Sequence, residues 1–206
     1  MKAVLRKAWR SWINFWHLPL ELPFLLTSEK EVIIADVKRW TELSQYRTDS
    51  LLTARLKLLS DQPEFRNLYY FRLRKGNLLP RVNLWVLQRL YPPAPTLFIE
   101  QSCEIGAGLY LQHAFSTIIM ADIGNNAWIN QQVTIGYRDR SGRPQLGNNV
   151  RVTAGAKVIG HISIGDNVTV GANAVVVKDV PENCVVVGVP ARIVKRDGVK
   201  VTEEMH

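Results

Sequence analysis

The fold is decided by residues 146–176, LGNNVRVTAGAKVIGHISIGDNVTVGANAVV, in which an aliphatic residue returns at every sixth position. The same spacing begins near residue 99, with Thr117 as the one polar member. The aliphatic column consists of Ile99, Ile105, Leu111, Ile123, Ile129, Ile135, Leu146, Val152, Val158, Ile164, Val170 and Val176. A period of six fits neither an α-helix nor a plain strand, so it indicates a chain wound into flat turns around a shared interior.

Glycine and asparagine recur at fixed places in this repeat. Gly124 directly follows an aliphatic residue, and Asn126 comes two residues later, as happens in most of the repeats. Both residue types accept a positive φ at little cost, which favours tight corners. Three six-residue segments would then form one triangular coil, and coils would stack at about 4.8 Å. The second residue before each aliphatic one, such as Phe115, is expected to share the interior.

One interval in the repeat is too long for a regular coil. Ile135 and Leu146 are 11 positions apart, so residues 137–145 are expected to leave the stack as an external loop. Functional groups are often carried by loops on a rigid scaffold. A plain spacer has no need of such a loop, and the interval therefore favours a functional site.

The charge of this 206-residue chain is uneven, with a formal net charge of +8. Basic side chains stand in the first 95 residues at Lys2, Arg6, Lys7, Arg10, Arg72, Arg74, Lys75 and Arg81. Such a surface attracts nucleotide phosphates, acidic glycans or anionic lipids, whereas no nucleic-acid reading motif is present.

Cys103 and Cys184 are too few for a disulfide framework or a metal cluster. A cytoplasmic protein without metal or nucleic-acid partner is therefore expected.

The first 20 residues combine tryptophan with basic side chains. Leu5, Trp9, Trp12 and Trp16 fall on one face of a predicted helix, as in helices that lie in a membrane interface. A peripheral contact with the inner face of a membrane is one interpretation. The other is that these side chains pack on further helices or across a subunit contact. No apolar run is long enough to predict a spanning helix.

The pattern predicts three segments: a helical region over 1–95, a repeat domain over 96–180, and a C-terminal cap and tail over 181–206. In the first segment, Pro19 and Pro23 are expected to end the opening helix. A hydroxyl at Thr27 or Ser28 is expected to cap a helix that runs to Leu43. Further helices are predicted over 51–59, 63–74 and 82–90, before the proline-rich joint at 92–95.

His113 is the candidate general base, since imidazole exchanges a proton near neutral pH. It follows Leu111 by two positions and so lies outside the interior column. Gln131 comes 18 residues later and should stack near His113 in the next coil. Its amide could orient the imidazole or hold an acceptor.

Five motifs carry a resemblance to a known family. They are Gly108–Ser116, Trp128–Gly136, Ala154–Gly160, Gly171–Pro181 and Val187–Val194. Together they resemble the serine acetyltransferase-like branch of the hexapeptide-repeat acyltransferases, over residues 97–196 and in the surface-polysaccharide type. The resemblance implies a mainly β protein, a left-handed parallel β-helix with an N-terminal helical region, assembled as a homotrimer with its site between subunits.

The same resemblance implies an acetyl-CoA-dependent reaction without a covalent acyl-enzyme. His113 would deprotonate an acceptor hydroxyl, and backbone N–H groups near Gly136 and Tyr137 would stabilise the oxyanion. The cofactor positions matched in this chain are Ala154 and Ala172 for pantetheine, and Lys178 and Arg192 for the phosphates. Solvated surface charge is the alternative interpretation for Lys178 and Arg192.

The chain departs from serine acetyltransferases at three positions. Phe98 and Gln112 stand where those enzymes have aspartates, and Arg143 stands where they have histidine. Glu100 or Glu104 could replace the orienting carboxylate, and Glu100 is the predicted one. Gln112 and Arg143 are predicted to contact the acceptor.

These departures favour a sugar hydroxyl of a capsule or lipopolysaccharide unit as the acceptor, because a zwitterion needs charged partners in its pocket. Serine O-acetylation in cysteine biosynthesis is the alternative activity. A non-catalytic trimeric scaffold is the third interpretation.

Overall fold

The computed structural model describes residues 16, 18–44, 50–81 and 84–204. It divides into two compact units, residues 1–94 and 95–206, and the described helices lie in the first of them. These are α1 (Glu21–Leu26), α2 (Lys30–Leu43), α3 (Leu51–Asp61), α4 (Pro63–Lys75) and α5 (Leu84–Leu90), with 3-10 turns at Leu18–Leu20 and Leu79–Arg81. The predicted face of Leu5, Trp9 and Trp12 lies outside the described residues. No described helix is both long and apolar enough to cross a membrane.

The predicted ends of the helices are only partly correct. Helix α2 ends at Leu43 as expected, but its N-cap residue Glu29 has no side-chain capping bond. The hydroxyl of Thr27 instead accepts the N–H of Glu29 at 3.2 Å. The opening helix that Pro19 and Pro23 are expected to end lies largely outside the described residues. Pro23 itself lies in the first turn of α1, where its missing N–H has no helical partner to lose.

Two buried ion pairs join the helices of the first unit. Arg72 on α4 donates from Nε to Asp36 of α2 at 2.9 Å, and both side chains are almost fully buried. Arg55 on α3 pairs with Glu21 of α1 through both carboxylate oxygens. A buried charge is tolerated only with a partner, so these pairs fix which helices pack together.

The second unit consists of three sheets. Sheet I has the order β1-β3-β6-β9-β12, sheet II β10-β7-β4, and sheet III β15-β14-β13-β11-β8-β5-β2. The strands are β1 (Leu97–Ile99), β2 (Tyr110–Leu111), β3 (Thr117–Ile119), β4 (Asp122–Ile123), β5 (Trp128–Ile129), β6 (Thr134–Gly136), β7 (Gln145–Leu146), β8 (Arg151–Val152), β9 (Lys157–Ile159), β10 (Ser163–Ile164), β11 (Thr169–Val170), β12 (Val175–Val176), β13 (Cys184–Val187), β14 (Arg192–Arg196) and β15 (Val199–Glu203).

The chain visits sheets I, II and III in turn, and strands β1–β13 pair with one another in parallel. Tyr110 pairs with Trp128 and Val158 with Val176, each 18 residues apart, which confirms the predicted triangular coil. The handedness of the winding stays a prediction. Strand β14 pairs antiparallel with β13, and β15 pairs antiparallel with β14, so the tail extends sheet III within the second unit.

The aliphatic column is buried from Ile105 to Val176, as predicted. Thr117 is fully buried at its place in the column. Its hydroxyl is tolerated there because it bonds to the backbone carbonyls of Phe115 and Asn130. The interior placement of Phe115 is wrong, since its side chain is 49% exposed and Ala114 is buried instead. His113 and Ser116 both have positive φ, and this turns the corner one residue early.

Asparagine and glycine stand at the expected corners of the coil, but positive φ explains only the asparagine. Asn126 has a φ of 59°, as predicted. Gly124 is not needed for a positive φ but for a close approach. A Cβ there would lie 2.7 Å from the backbone carbon of Gly147 in the next coil. Stacking distance, and not backbone rotation, selects glycine at this place in the repeat.

Candidate functional site

His113 lies at the corner where the chain passes from sheet III to sheet I. Strand β2 ends two residues before it and β3 begins at Thr117. The backbone φ of His113 is 50°, and its carbonyl accepts the N–H of Phe115 at 2.7 Å. Its side chain is exposed, and its imidazole has no hydrogen-bond partner within the described part of the chain. The ring nitrogens are therefore open to a bound substrate.

Gln131 lies at the same corner in the next coil. Backbone bonds from Gln112 to Ile129 and from Gln132 to Phe115, both 2.9 Å, bracket it beneath the turn that carries His113. The Oε1 atom of Gln131 is buried and has no hydrogen-bond partner among the residues that the structure describes. An unpaired buried carbonyl oxygen costs about 1–3 kcal/mol, so this atom is suited to accept a hydrogen bond from a ligand or from an imidazole N–H.

Gln112 belongs to a network that the sequence did not reveal. Its Oε1 accepts from Trp128 Nε1 at 3.1 Å and from Asn130 Nδ2 at 3.0 Å. Trp128 also meets Tyr110 edge-on at 5.3 Å, and the Arg151 guanidinium lies 4.3 Å above its ring. The signal was the shared register of residues 110, 128 and 151 in sheet III. Gln112 therefore has two partners of its own chain, beside any acceptor.

The predicted pantetheine positions continue the same corner. The N–H of Gly155 donates to the carbonyl of Gln131 at 3.0 Å, and Asn173 donates to that of Ala154 at 2.9 Å. Gln131, Ala154 and Ala172 thus follow one another along one edge of the prism. Both alanines are at least partly exposed, and their methyl side chains occupy little space at this edge. A thin, amide-bearing arm such as pantetheine fits an edge of this kind.

Lys178 and Arg192 are both exposed near the C-terminal end of the stack. Backbone bonds of 2.9 Å join Val175 to Gly188 and to Ala191, which places the segment before Arg192 beside β12. Lys178 follows β12 by two residues. Both cations therefore lie beyond the alanine edge, and their contact with phosphates stays a prediction.

Three predicted residues lie at a different corner. Glu100 directly follows β1, Gly136 ends β6 and Tyr137 begins the loop, all between sheets I and II. The three residues of a strand such as β3 span about 10 Å, which separates this corner from His113. The structure does not bring Glu100 to His113 within one chain, so the proposed orienting carboxylate is not in place there.

Arg143 is already occupied, in contrast to its predicted role at the acceptor. Its guanidinium holds both carboxylate oxygens of Asp122, at 3.0 and 2.7 Å, and the Oγ and carbonyl of Ser102, at 2.8 and 3.1 Å. Asp122 lies in the preceding coil and presents its carboxylate to the base of the loop. Arg143 therefore anchors residues 137–144 to sheet II.

Removing this anchor should loosen the loop. We expect Arg143→Ala to lower the free energy of unfolding by about 1–2 kcal/mol, because a bidentate, partly buried pair is lost. Proteolytic cleavage within 138–142 should become faster at the same time. Arg138→Ala is the matched control, since the pair of Arg138 with Asp139 is largely exposed. Equal cleavage rates in the two variants would show that Arg143 does not hold the loop.

Neither cysteine is a candidate nucleophile. Cys103 and Cys184 are fully buried free thiols. Burial raises the pKa of both, which disfavours the reactive thiolate. Among the described residues, no group of three or more His, Cys, Asp or Glu side chains could hold a metal ion.

Comparison with known proteins identifies the family of this chain. Residues 143–178 match the family model "Bacterial transferase hexapeptide (six repeats)". The crystal structure of the serine acetyltransferase from Neisseria gonorrhoeae is 31% identical, with a TM-score of 0.66, and the match covers 84% of this chain and 67% of that one. The chain belongs to the hexapeptide-repeat transferase family.

Two further relatives of this hexapeptide-repeat transferase are also named serine acetyltransferase. A serine acetyltransferase from Synechococcus elongatus is 40% identical over 142 aligned positions, and the match covers 61% of this chain and 58% of that protein. A serine acetyltransferase structure in complex with CoA is 28% identical, with a TM-score of 0.64, over 81% of this chain and 70% of that one. The chain thus spans less than two thirds of the length of its Synechococcus relative. These matches give no support to the surface-polysaccharide type.

Proposed function

We propose that this chain is an acetyl-CoA-dependent O-acetyltransferase with His113 as its general base. The observation that carries the proposal is the exposed imidazole at one end of an edge that continues through Gln131 to Ala154 and Ala172. A base beside an acceptor site and a groove for a thioester arm are the two parts that direct acyl transfer needs.

The reaction follows from these positions. An imidazole nitrogen of His113 takes the proton of the acceptor hydroxyl as its oxygen attacks the thioester carbonyl. The tetrahedral intermediate then collapses, the C–S bond breaks, and the CoA thiolate leaves and takes up the proton from the imidazolium. Gln131 Oε1 accepts either the second imidazole N–H or a donor of the acceptor. The buried cysteines take no part, and the acetyl group passes directly to the acceptor.

A second copy of the chain would complete the site. Gly136 and Tyr137, the proposed oxyanion donors, lie one sheet width from the His113 of their own chain. Backbone N–H groups stabilise an oxyanion only at about 2.7–3.1 Å, so these donors have to come from a neighbouring subunit. We therefore propose a homotrimer, in which the loop corner of each copy meets the His113 corner of the next.

L-Serine is the proposed acceptor. The relatives named serine acetyltransferase support it, and the Neisseria gonorrhoeae protein also has a structure in complex with serine. A neutral sugar hydroxyl is the second candidate. It is favoured by the apolar Phe98, by the amide of Gln112 in place of a carboxylate, and by the engagement of Arg143 with Asp122.

The test is thiol release from acetyl-CoA by the purified chain with L-serine, with neutral monosaccharides, and without acceptor. Release that depends on L-serine supports the first acceptor, and release that depends on a sugar supports the second. CoA binding is measured in parallel by calorimetry. Failure to bind CoA at about 1 mM, a generous concentration for a cosubstrate, would overturn the enzyme proposal and leave a scaffold.

A further inference from the structure

The first unit exposes a set of large apolar side chains that the catalytic proposal does not use. On α1, Leu22 and Leu25 are one helical turn apart and point outward, with Leu22 54% exposed. Leu78 is 73% exposed and Trp85 is 79% exposed. The apolar face, as we call it, consists of Leu22, Leu25, Leu78, Leu79, Trp85 and Leu90.

Hydrogen bonds hold the parts of this face together. Asn77 donates from Nδ2 to the carbonyl of Leu26 at 3.0 Å, and its Oδ1 accepts the N–H of Ser28 at 3.0 Å. The end of α1 is thereby tied to the turn that carries Leu78 and Leu79. The hydroxyl of Tyr91, next to Leu90, bonds to the carbonyl of Trp16, which precedes α1. Exposed Leu and Trp side chains therefore lie on segments that are fixed to one another.

The charge of the chain lies in the same unit. Residues 1–94 contain sixteen Lys and Arg against eight Asp and Glu, so they account for the whole net charge of +8. Arg74, Arg81 and Arg89 are exposed and border the apolar face along the chain. Glu21 and Asp36 are buried in ion pairs with Arg55 and Arg72, so these four groups leave the net surface charge of the unit unchanged.

We propose that the apolar face docks the first unit on the surface of an anionic lipid bilayer. Leu and Trp side chains gain free energy in the interfacial region, and each nearby Lys or Arg adds attraction to an anionic leaflet. A second copy of the chain is the less suitable occupant. Two units of the same positive charge repel each other when their faces meet, whereas an anionic leaflet attracts each of them.

The experiment is co-sedimentation of the full chain with vesicles. Vesicles of phosphatidylcholine with about one third phosphatidylserine are compared with vesicles of phosphatidylcholine alone. We expect binding to the anionic vesicles at about 0.1 M NaCl and weaker binding at about 0.5 M, where screening is stronger. The variant Leu25→Gln with Trp85→Gln should bind at least about tenfold more weakly, because it lacks two apolar side chains that would be buried in the lipid interface.

The controls are placed in the second unit. Val199→Gln and Lys200→Gln change an exposed apolar and an exposed basic side chain there and should bind vesicles like the unchanged protein. Unchanged binding of the Leu25→Gln, Trp85→Gln variant would overturn the proposal. So would equal binding to neutral vesicles, or a change in the variant's molar mass by light scattering, which would make the face a contact between copies. Neither measurement depends on catalytic activity.

Discussion

Replacement of His113 by Asn is expected to lower kcat by about 10²- to 10⁴-fold, the range for loss of a positioned general base. Asn is chosen because His113 has a φ of 50°, and Asn tolerates this left-handed backbone where Ala would add strain. The exposed side chain makes no hydrogen bond in the described part of the chain, so the stack of coils should persist. Thiol release is the measurement, with thermal unfolding beside it.

The control for this variant is His161→Asn. His161 is also exposed, but it follows β9, one coil beyond Gly136 and Tyr137, and is not one of the residues assigned to the site. We expect it to retain activity close to that of the unchanged protein. If His113→Asn turned over as fast as the unchanged protein, His113 would have no part in the chemistry. If the His113→Asn variant unfolded instead, the loss of activity would result from a disrupted corner of the coil and not from the missing base.

Replacement of Asp36 by Ala should lower the free energy of unfolding of the first unit by about 3–5 kcal/mol. The change leaves the guanidinium of Arg72 buried without its carboxylate, and an uncompensated buried charge is the most costly outcome of breaking such a pair. Urea unfolding followed by tryptophan fluorescence is suitable. Trp40 is buried in this unit and packs edge-on against Phe65 at 5.2 Å.

Two further variants separate charge from packing. Asp36→Leu with Arg72→Met removes both charges and fills similar volume, so it should recover most of the loss. Glu42→Ala breaks the pair with Arg39, in which Glu42 is mostly exposed, and should cost less than about 0.5 kcal/mol. A loss in Asp36→Ala no larger than in Glu42→Ala would show that the buried pair does not stabilise the unit.

The coil could be predicted because its cause is local and repeated. Each aliphatic residue from Ile105 to Val176 meets the same interior, so one rule applied many times gives the fold. Phe115 broke the rule because two left-handed residues, His113 and Ser116, shift a single corner. A period of six contains no sign of such a shift.

The candidate site was predictable only in part. The position of His113 outside the column follows from counting, and the edge through Gln131, Ala154 and Ala172 follows from the length of the coil. The role of Arg143 did not follow. Its partner Ser102 is 41 residues away, and a search by spacing does not reveal that the two side chains meet.

The sequence alone therefore determined the triangular coil, the external loop and the exposed imidazole, since each depends on neighbours at a fixed interval. Only the tertiary structure decided that Arg143 anchors the loop, that Glu100 lies a sheet width from His113, and that exposed leucines of the first unit stand on linked segments. These features depend on which distant side chains face each other across packed elements. That information is set by the folded backbone and has no period in the sequence.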